Sequence, residues 1–370
     1  MAKRFLIEIA NENDEAGLRR IARDNYMDGN IRLSVQREPN FFRSLEVEGR
    51  LVQVCLGRDL RNKKVIGFAV RAIREMFVNG FIRDIGYLSN LRLEEAYRGG
   101  TLIYRAYRFL KELHRDGRTP LYVTSILQDN QYALKIITSG RAGIPPYKDY
   151  GGYTTYVVGL KKKRGNLPGN LELRKGTEDM IDDIISFLHE EGKKKQFYPL
   201  YRERDLLNTT GILRGLHMYD LIVALKRGKI VGVIGLWDQT AVKQDVVSGY
   251  STLMRIIKPL WNIYAPLRDL PSLPVRDTRL NFFFAAMNLV KDNNRVIFHA
   301  LIERLREEGR ERRLSYMVLG LHSRDTLNGV MKRYPSYKFR SRIFLVHWED
   351  GEQLYDSLDD RIPYLEVAAL

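Results

Sequence analysis

The chain has 370 residues, 44% of them hydrophobic, and a formal net charge of +16. That length suits two domains of ordinary size, and no apolar run approaches the roughly 20 residues a membrane helix needs, so a soluble globular protein is expected. A single cysteine, Cys55, excludes an intrachain disulfide, and its apolar surroundings make it a buried hydrophobe rather than a nucleophile. The net charge is +12 up to Asn170, +10 from there to Trp348 and −6 beyond. Such a balance favours anionic partners (phosphates, acidic substrates or nucleic acid) without choosing among them. The six histidines have no metal-ligand spacing, so no metal is expected.

Residues 1–9 are charged and then alternate like a strand. They lack the apolar stretch and cleavage site of a signal peptide, which predicts a cytoplasmic protein. LVQVCLG (51–57) and KKVIGFAVRAI (63–73), joined by a basic turn, read as a β-hairpin. YRAYRFLKELHRDG (104–117) is an amphipathic helix ending at Gly117. LYVTSIL (121–127) is a strand, followed by a polar cap and a helix from Asp129; YGGYTTY (150–156) alternates as sheet cores do. LKKKRGNLPGN (160–170) combines charge, Gly and Pro without periodicity and reads as a linker.

The same order then recurs. LIVAL (221–225), the turn Lys226-Arg227-Gly228 and KIVGVIGLW (229–237) repeat the hairpin; VIFHALIERLREEG (296–309) repeats the helix; LSYMVLGL (314–321) and a helix from Ser323 follow. Each copy is expected to close with a further pair of strands. Repetition of order predicts two tandem α/β (α+β) domains, each a mixed, mostly antiparallel sheet flanked by helices. The expected boundaries are 1–160, a linker at 161–170, 171–348, and an acidic segment at 349–370. Fifty positions separate Gly67 from Gly117, but seventy-seven separate Gly232 from Gly309, which places an insertion near 250–277. Its apolar helix, interrupted at Pro259, is expected to pack between domains. The acidic segment ends in RIPYLEVAAL, too apolar for a free tail, and is expected to dock on the basic body.

The segment from Leu88 to Leu110 runs strand, glycine turn, helix. Amides at a helix N-terminus point outward unsatisfied and the helix dipole adds positive charge, so a pyrophosphate can fill the gap. Gly99 and Gly100 let the backbone approach closely, and Arg98 adds a permanent cation.

Residues 91–103, LRLEEAYRGGTLI, resemble the cofactor segment of the GNAT superfamily of N-acetyltransferases, L-x-V-x-P-x-Y-R-G-x-G-x-G/A. Leu91, Tyr97, Arg98 and Gly99 match, and Leu93 replaces the Val. Asn130 and Ala133 match a second signature, Asn-x-x-Ala, at the right spacing. Glu95 replaces the common Pro, and Thr101 and Ile103 stand where small residues are usual. The resemblance implies acetyl-CoA, or another acyl-CoA, as co-substrate. It implies binding by Leu91, Arg92, Leu93, Arg98, Gly99, Gly100, Thr101, Leu102, Ile103, Asn130 and Ala133, with main-chain groups at 90–93 holding the pantetheine arm. In the second copy Lys291-Asp292-Asn293-Asn294-Arg295 stands in place of the loop, without glycine, and no cofactor is expected there.

What the resemblance implies mechanistically is direct transfer to an amine, taken here as a small-molecule or peptide acceptor; the lack of a long apolar run adds the expectation of no membrane partner. The family's usual phenolic acid falls on Ile137 here, so Tyr147, after the rigid GIPP segment, is the candidate acid, with Tyr132 and Tyr150 nearby. Glu75, Asp84 and Glu94 are candidate bases, and Glu94, beside the loop, is carried forward. Two alternatives remain: a Fem-type aminoacyl transferase using aminoacyl-tRNA, which the glycine turn disfavours, and a non-catalytic CoA- or ligand-binding module.

Overall fold

The computed structural model describes residues 4–26, 30–140, 143–160, 171–208, 210–267 and 272–370; the expected linker at 161–170 lies outside them. The first half runs β1 (Phe5–Ile9), α1 (Glu15–Asp24), β2 (Ile31–Gln36), α2 (Phe41–Leu45), β3 (Leu51–Asp59), β4 (Lys64–Val78), β5 (Phe81–Leu93), α3 (Leu102–His114), β6 (Leu121–Leu127), α4 (Gln131–Ile137) and β7 (Tyr147–Gly159). The second half has the same plan: β8 (Glu172–Lys175), α5 (Ile181–Gly192), β9 (Leu221–Lys226), β10 (Lys229–Trp237), β11 (Gln244–Tyr250), α6 (Thr252–Leu267), β12 (Phe282–Val290), α7 (Arg295–Glu311), β13 (Tyr316–His322), α8 (Asn328–Met331) and β14 (Ser336–His347).

Local chemistry accounts for these elements. Asn79-Gly80 and Arg227-Gly228 both hold consecutive positive φ angles, the turn whose twist matches a two-residue hairpin. α3 buries Leu102, Ile103, Tyr107 and Leu110 on one stripe. α4 begins at Asn130, whose side chain accepts a bond from the Ala133 amide at 3.1 Å.

One thirteen-stranded sheet runs through both halves in the order β1-β3-β4-β5-β6-β14-β7-β13-β12-β10-β9-β8, and Tyr198–Pro199 adds a short strand to β4. Each half ends in one long strand rather than the expected pair, and the halves exchange these strands. β14 lies between β6 and β7, and β7 lies between β14 and β13. The exchange leaves no unpaired edge at the seam, where an isolated half would expose the ladder of β6 or β13.

The insertion also joins the halves. β11 pairs antiparallel with β2, from Gln244↔Gln36 to Tyr250↔Ile31, and α6 covers this ribbon around Val247, Tyr250 and Leu273. Segment 349–370 packs against the body mainly through buried Tyr364, Leu365, Val367 and Ala368. The Tyr153 hydroxyl donates to the Leu365 carbonyl at 2.8 Å, and Gln239 Nε2 donates to that of Ala368 at 3.0 Å, so the segment touches both halves.

Candidate active site

β5 carries a bulge against β4 near its end. Phe68 pairs with Arg92 and Val70 with Ser89, leaving Asn90 and Leu91 opposite one residue, and Asn90 takes a φ of 56°. Just before the bulge, and while its pairing with β4 continues to Leu93, β5 leaves β6. Their parallel pairing is confined to Gly86↔Tyr122 and Tyr87↔Val123, with one further link from Thr124 Oγ1 to the Leu88 carbonyl at 2.7 Å. The end of β5 therefore lines an opening, and Leu91 is exposed there.

The glycine turn closes one side of that opening. Gly99 has a φ of 82°, and a methyl group built on Gly99 or Gly100 meets nothing within 4 Å. Thr101, at the N-cap of α3, makes no side-chain capping bond, which keeps that helix start free of an internal acceptor. Leu102 and Ile103 point inward, so the bulk of Ile103 does not crowd the turn. With Leu91 and Leu93 they line a small apolar cavity of about 40 Å³ beside Cys55 and Phe68. Tyr97 anchors the turn by an edge contact with Phe5 and a 3.4 Å bond to Asp59. Arg98 Nε donates to the Leu93 carbonyl at 3.2 Å, and its guanidinium lies 5.8 Å from the Tyr132 ring. Arg98 thus brings the two sequence signatures, 91–103 and 130–133, to one place.

The catalytic candidates separate. Tyr147 makes a 2.5 Å hydroxyl–hydroxyl bond with Tyr107, which clusters with Leu88, Ile103 and Leu110. Burial pushes the Tyr107 phenol up to about 12 and raises that of Tyr147 well above its ordinary value, so both stay protonated at neutral pH. Two hydroxyl protons serve one mutual bond, which leaves one to give. Tyr107 lies in the middle of α3, where its spacing reads only as the buried face of a helix.

Glu94 is different. It receives hydrogen bonds from Arg20 and from Lys64; burial alone would raise its carboxyl, but these cations hold it below the ordinary value. Its contacts tie α1 and β4 to the end of β5. Glu75 is likewise held low by Arg202, with Arg50 adjoining. Asp84 is raised by burial, then by Glu75, but lies by the β4–β5 turn next to Arg118.

Polar groups that sequence patterns did not mark surround the bulge. Glu48, fully buried, accepts from Ser89 Oγ at 2.6 Å, Asn90 Nδ2 at 3.1 Å and Arg37 Nη2 at 3.0 Å. These bonds hold Asn90 in its left-handed conformation. Arg92, half-buried, donates to the Asn25 carbonyl, and burial lowers its guanidinium to about 10. From the second half, β11 and the residue preceding it bring in Asp245 and Lys243. Burial raises Asp245 and lowers Lys243, and Arg37 and Arg92 act on both electrostatically. Among the described residues the Asp245 carboxylate makes no hydrogen bond or close ion pair. Only tertiary pairing of β11 with β2 reveals it; the local sequence carries no signal.

No protein-family model and no curated protein sequence matches the chain. Solved structures do. A GCN5-related N-acetyltransferase from Sphaerobacter thermophilus superposes with a TM-score of 0.60 at 11% identity, covering 100% of both chains. The N-myristoyltransferase of Saccharomyces cerevisiae, solved with myristoyl-CoA, gives 0.60 at 10% identity over 94% of this chain and 80% of that one. A glucosamine N-acetyltransferase region of a fungal multi-domain β-N-acetylglucosaminidase gives 0.62 at 12% identity over 92% of this chain and 38% of that one. At these identities the likeness is one of fold: two tandem copies of the GCN5-related N-acetyltransferase fold, as the resemblance of residues 91–103 implied.

Proposed function

We propose that the chain is an acyl-CoA-dependent N-acyltransferase, with acetyl-CoA as donor, whose active site lies in the first half. The observation that carries this reading is the coincidence of two openings: the splay of β5 from β6 at the Asn90 bulge, and the uncapped start of α3 behind Gly99 and Gly100. The second opening suits a pyrophosphate, held by the amides of Thr101, Leu102 and Ile103 and by Arg98. The first suits an extended pantetheine arm paired to the main chain at 90–93. When bound, acyl-CoA supplies a thioester-activated acyl group.

The chain's own residues do the rest. An amine attacks only when neutral. Asp245, unpartnered and with its carboxyl raised toward neutrality, accepts the proton of the incoming ammonium. The Tyr107–Tyr147 pair gives its spare proton to the departing sulfur. Glu94 keeps β5 and α1 in register, and Glu48 with Arg37 fixes the bulge. In this reading the second half contributes Asp245 and Lys243 to the acceptor side, and the acceptor is a small-molecule or peptide amine in a cytoplasmic setting.

The test is calorimetry with acetyl-CoA on the wild type and on Arg98→Ala at low salt, followed by thiol release with an amine panel. Saturable binding, weakened about tenfold in Arg98→Ala, supports the site. No binding by the wild type would falsify it, and binding without thiol release for any amine would leave the non-catalytic module as the better account.

A further inference from the structure

Two faces of α6 are apolar, and among the described residues only one is covered. Inward, Met254 and Trp261 pack on the β2–β11 ribbon and Ala265 is fully buried. Asn262 exchanges two hydrogen bonds with Leu273, at 2.7 and 2.9 Å. Lys258 also turns inward, donating to the Pro274 carbonyl at 2.5 Å and lying 4.5 Å from the Tyr250 ring. Outward stand Leu253, Ile256, Leu260, Ile263 and Leu267, each between 62% and 74% exposed. Their spacing is 3, 4, 3, 4, the heptad stripe by which one helix seats on another, and Ile257 and Tyr264 widen it. No charged side chain interrupts the stripe.

We propose that this stripe is the interface of a homodimer, in which a second copy lays its own α6 antiparallel across it about a two-fold axis through Leu260. The pattern is self-complementary, as an isologous contact requires. Numbering about Leu260 sets Leu253 opposite Leu267, Ile256 opposite Tyr264, Ile257 opposite Ile263, and Leu260 opposite its own copy. Arg255 has no basic residue opposite it in this register and Lys258 is turned inward, so no like charges meet. The stripe offers on the order of 600 Å² of apolar surface, the upper end of what a monomer leaves to water. Two such faces together bury on the order of 1,200 Å², the lower end of what a stable specific interface needs. An anionic lipid surface fits less well. Such a helix carries a rim of free basic residues and an outward Trp; here Lys258 is engaged inward, Arg255 is hydrogen-bonded to Thr252 Oγ1, and Trp261 faces the body.

The test is sedimentation equilibrium of the full chain over two decades of concentration, for the wild type, Leu260→Lys, Leu260→Glu and an equal mixture of the two variants. Leu260 is exposed, so both variants fold, which circular dichroism checks. The wild type is expected to be dimeric. Each variant alone sets like charges together on the axis and weakens the dimer at least roughly thirtyfold. The mixture restores association, because only a two-fold through residue 260 places Lys against Glu. A wild type monomeric throughout overturns the proposal, as does a dimer indifferent to both variants or a mixture that stays monomeric. A monomer that floats with phosphatidylglycerol vesicles overturns it in favour of a lipid surface.

Discussion

In the first half, the bulge at Asn90 is followed by a glycine turn and by a helix whose first turn has no side-chain cap. In the second half the same bulge recurs at Met287, with a φ of 53°, but its amide donates to Glu366 of the C-terminal segment at 2.8 Å. The helix behind it, α7, is capped by Asn294, which accepts from the amides of Val296 and Ile297. Beside it Asn293 and Lys195 converge on Asp325. Two copies of one fold thus present the same backbone feature, one open and one filled from within. A fold supplies the position of a site, and the residues that line it decide whether a ligand or the chain itself occupies it.

Removing the filling is the strongest way to break this contrast. Deletion of 362–370 strips buried Tyr364, Val367 and Ala368 from a core that includes Tyr198 and Tyr201, and Leu365 from the neighbouring one around Tyr153 and Phe197. The loss is on the order of 5 kcal/mol, a large share of a typical domain's stability. Urea denaturation should show it, or the chain should fail to fold. Where folded protein is recovered, it should still bind a single acetyl-CoA, since Asn294 keeps α7 capped. Stoichiometry of two would mean that the tail alone closes the second copy.

Asp245→Asn sharpens the contrast from the other side, since it tests what the second half lends to the first. With any amine the wild type accepts, kcat/KM should fall roughly a hundredfold. Burial raises this carboxyl, so the wild-type rate should climb with pH through a value above the usual carboxylate range, and Asp245→Asn should lose that limb. An unaltered pH profile would remove Asp245 from the chemistry.

Much of this contrast was legible in the sequence, because it is written in local chemistry. Hairpin turns, amphipathic helices, the glycine turn and its absence at 291–295 all depend on neighbours within a few residues. What was not legible depends on residues far apart. The exchange of β7 and β14 follows from two sheet edges meeting, and the Tyr107–Tyr147 bond joins α3 to β7. Asp245 reaches the site only because β11 pairs with β2, and Glu366 fills a bulge 79 positions away in sequence. Glu94 was marked by proximity to the loop, yet the cations that saturate it come from α1 and β4.

Gly99→Val addresses the open side alone. A β-branched residue is strained at a φ of 82° and would reshape the turn. Acetyl-CoA binding measured by calorimetry should weaken by about tenfold, whereas Asp292→Ala, at the matching place in the second half, should leave it unchanged. Equal effects would mean that the ligand uses both copies.

The smallest effect concerns the plug's charge. Burial raises the Glu366 carboxyl above its ordinary value, despite bonds from the Met287 and Ala368 amides and the Tyr364 hydroxyl. A group whose folded pKa is raised stabilises the fold below its unfolded value, and that contribution fades as pH climbs through the folded value. Glu366→Gln keeps an acceptor for the Met287 amide and has no proton to lose. Relative to wild type it should therefore gain stability as pH rises through the titration. Urea midpoints across that range would show the two proteins diverging. Parallel curves would mean that the carboxylate stays ionised against the bulge throughout, with the amides and hydroxyl outweighing its burial.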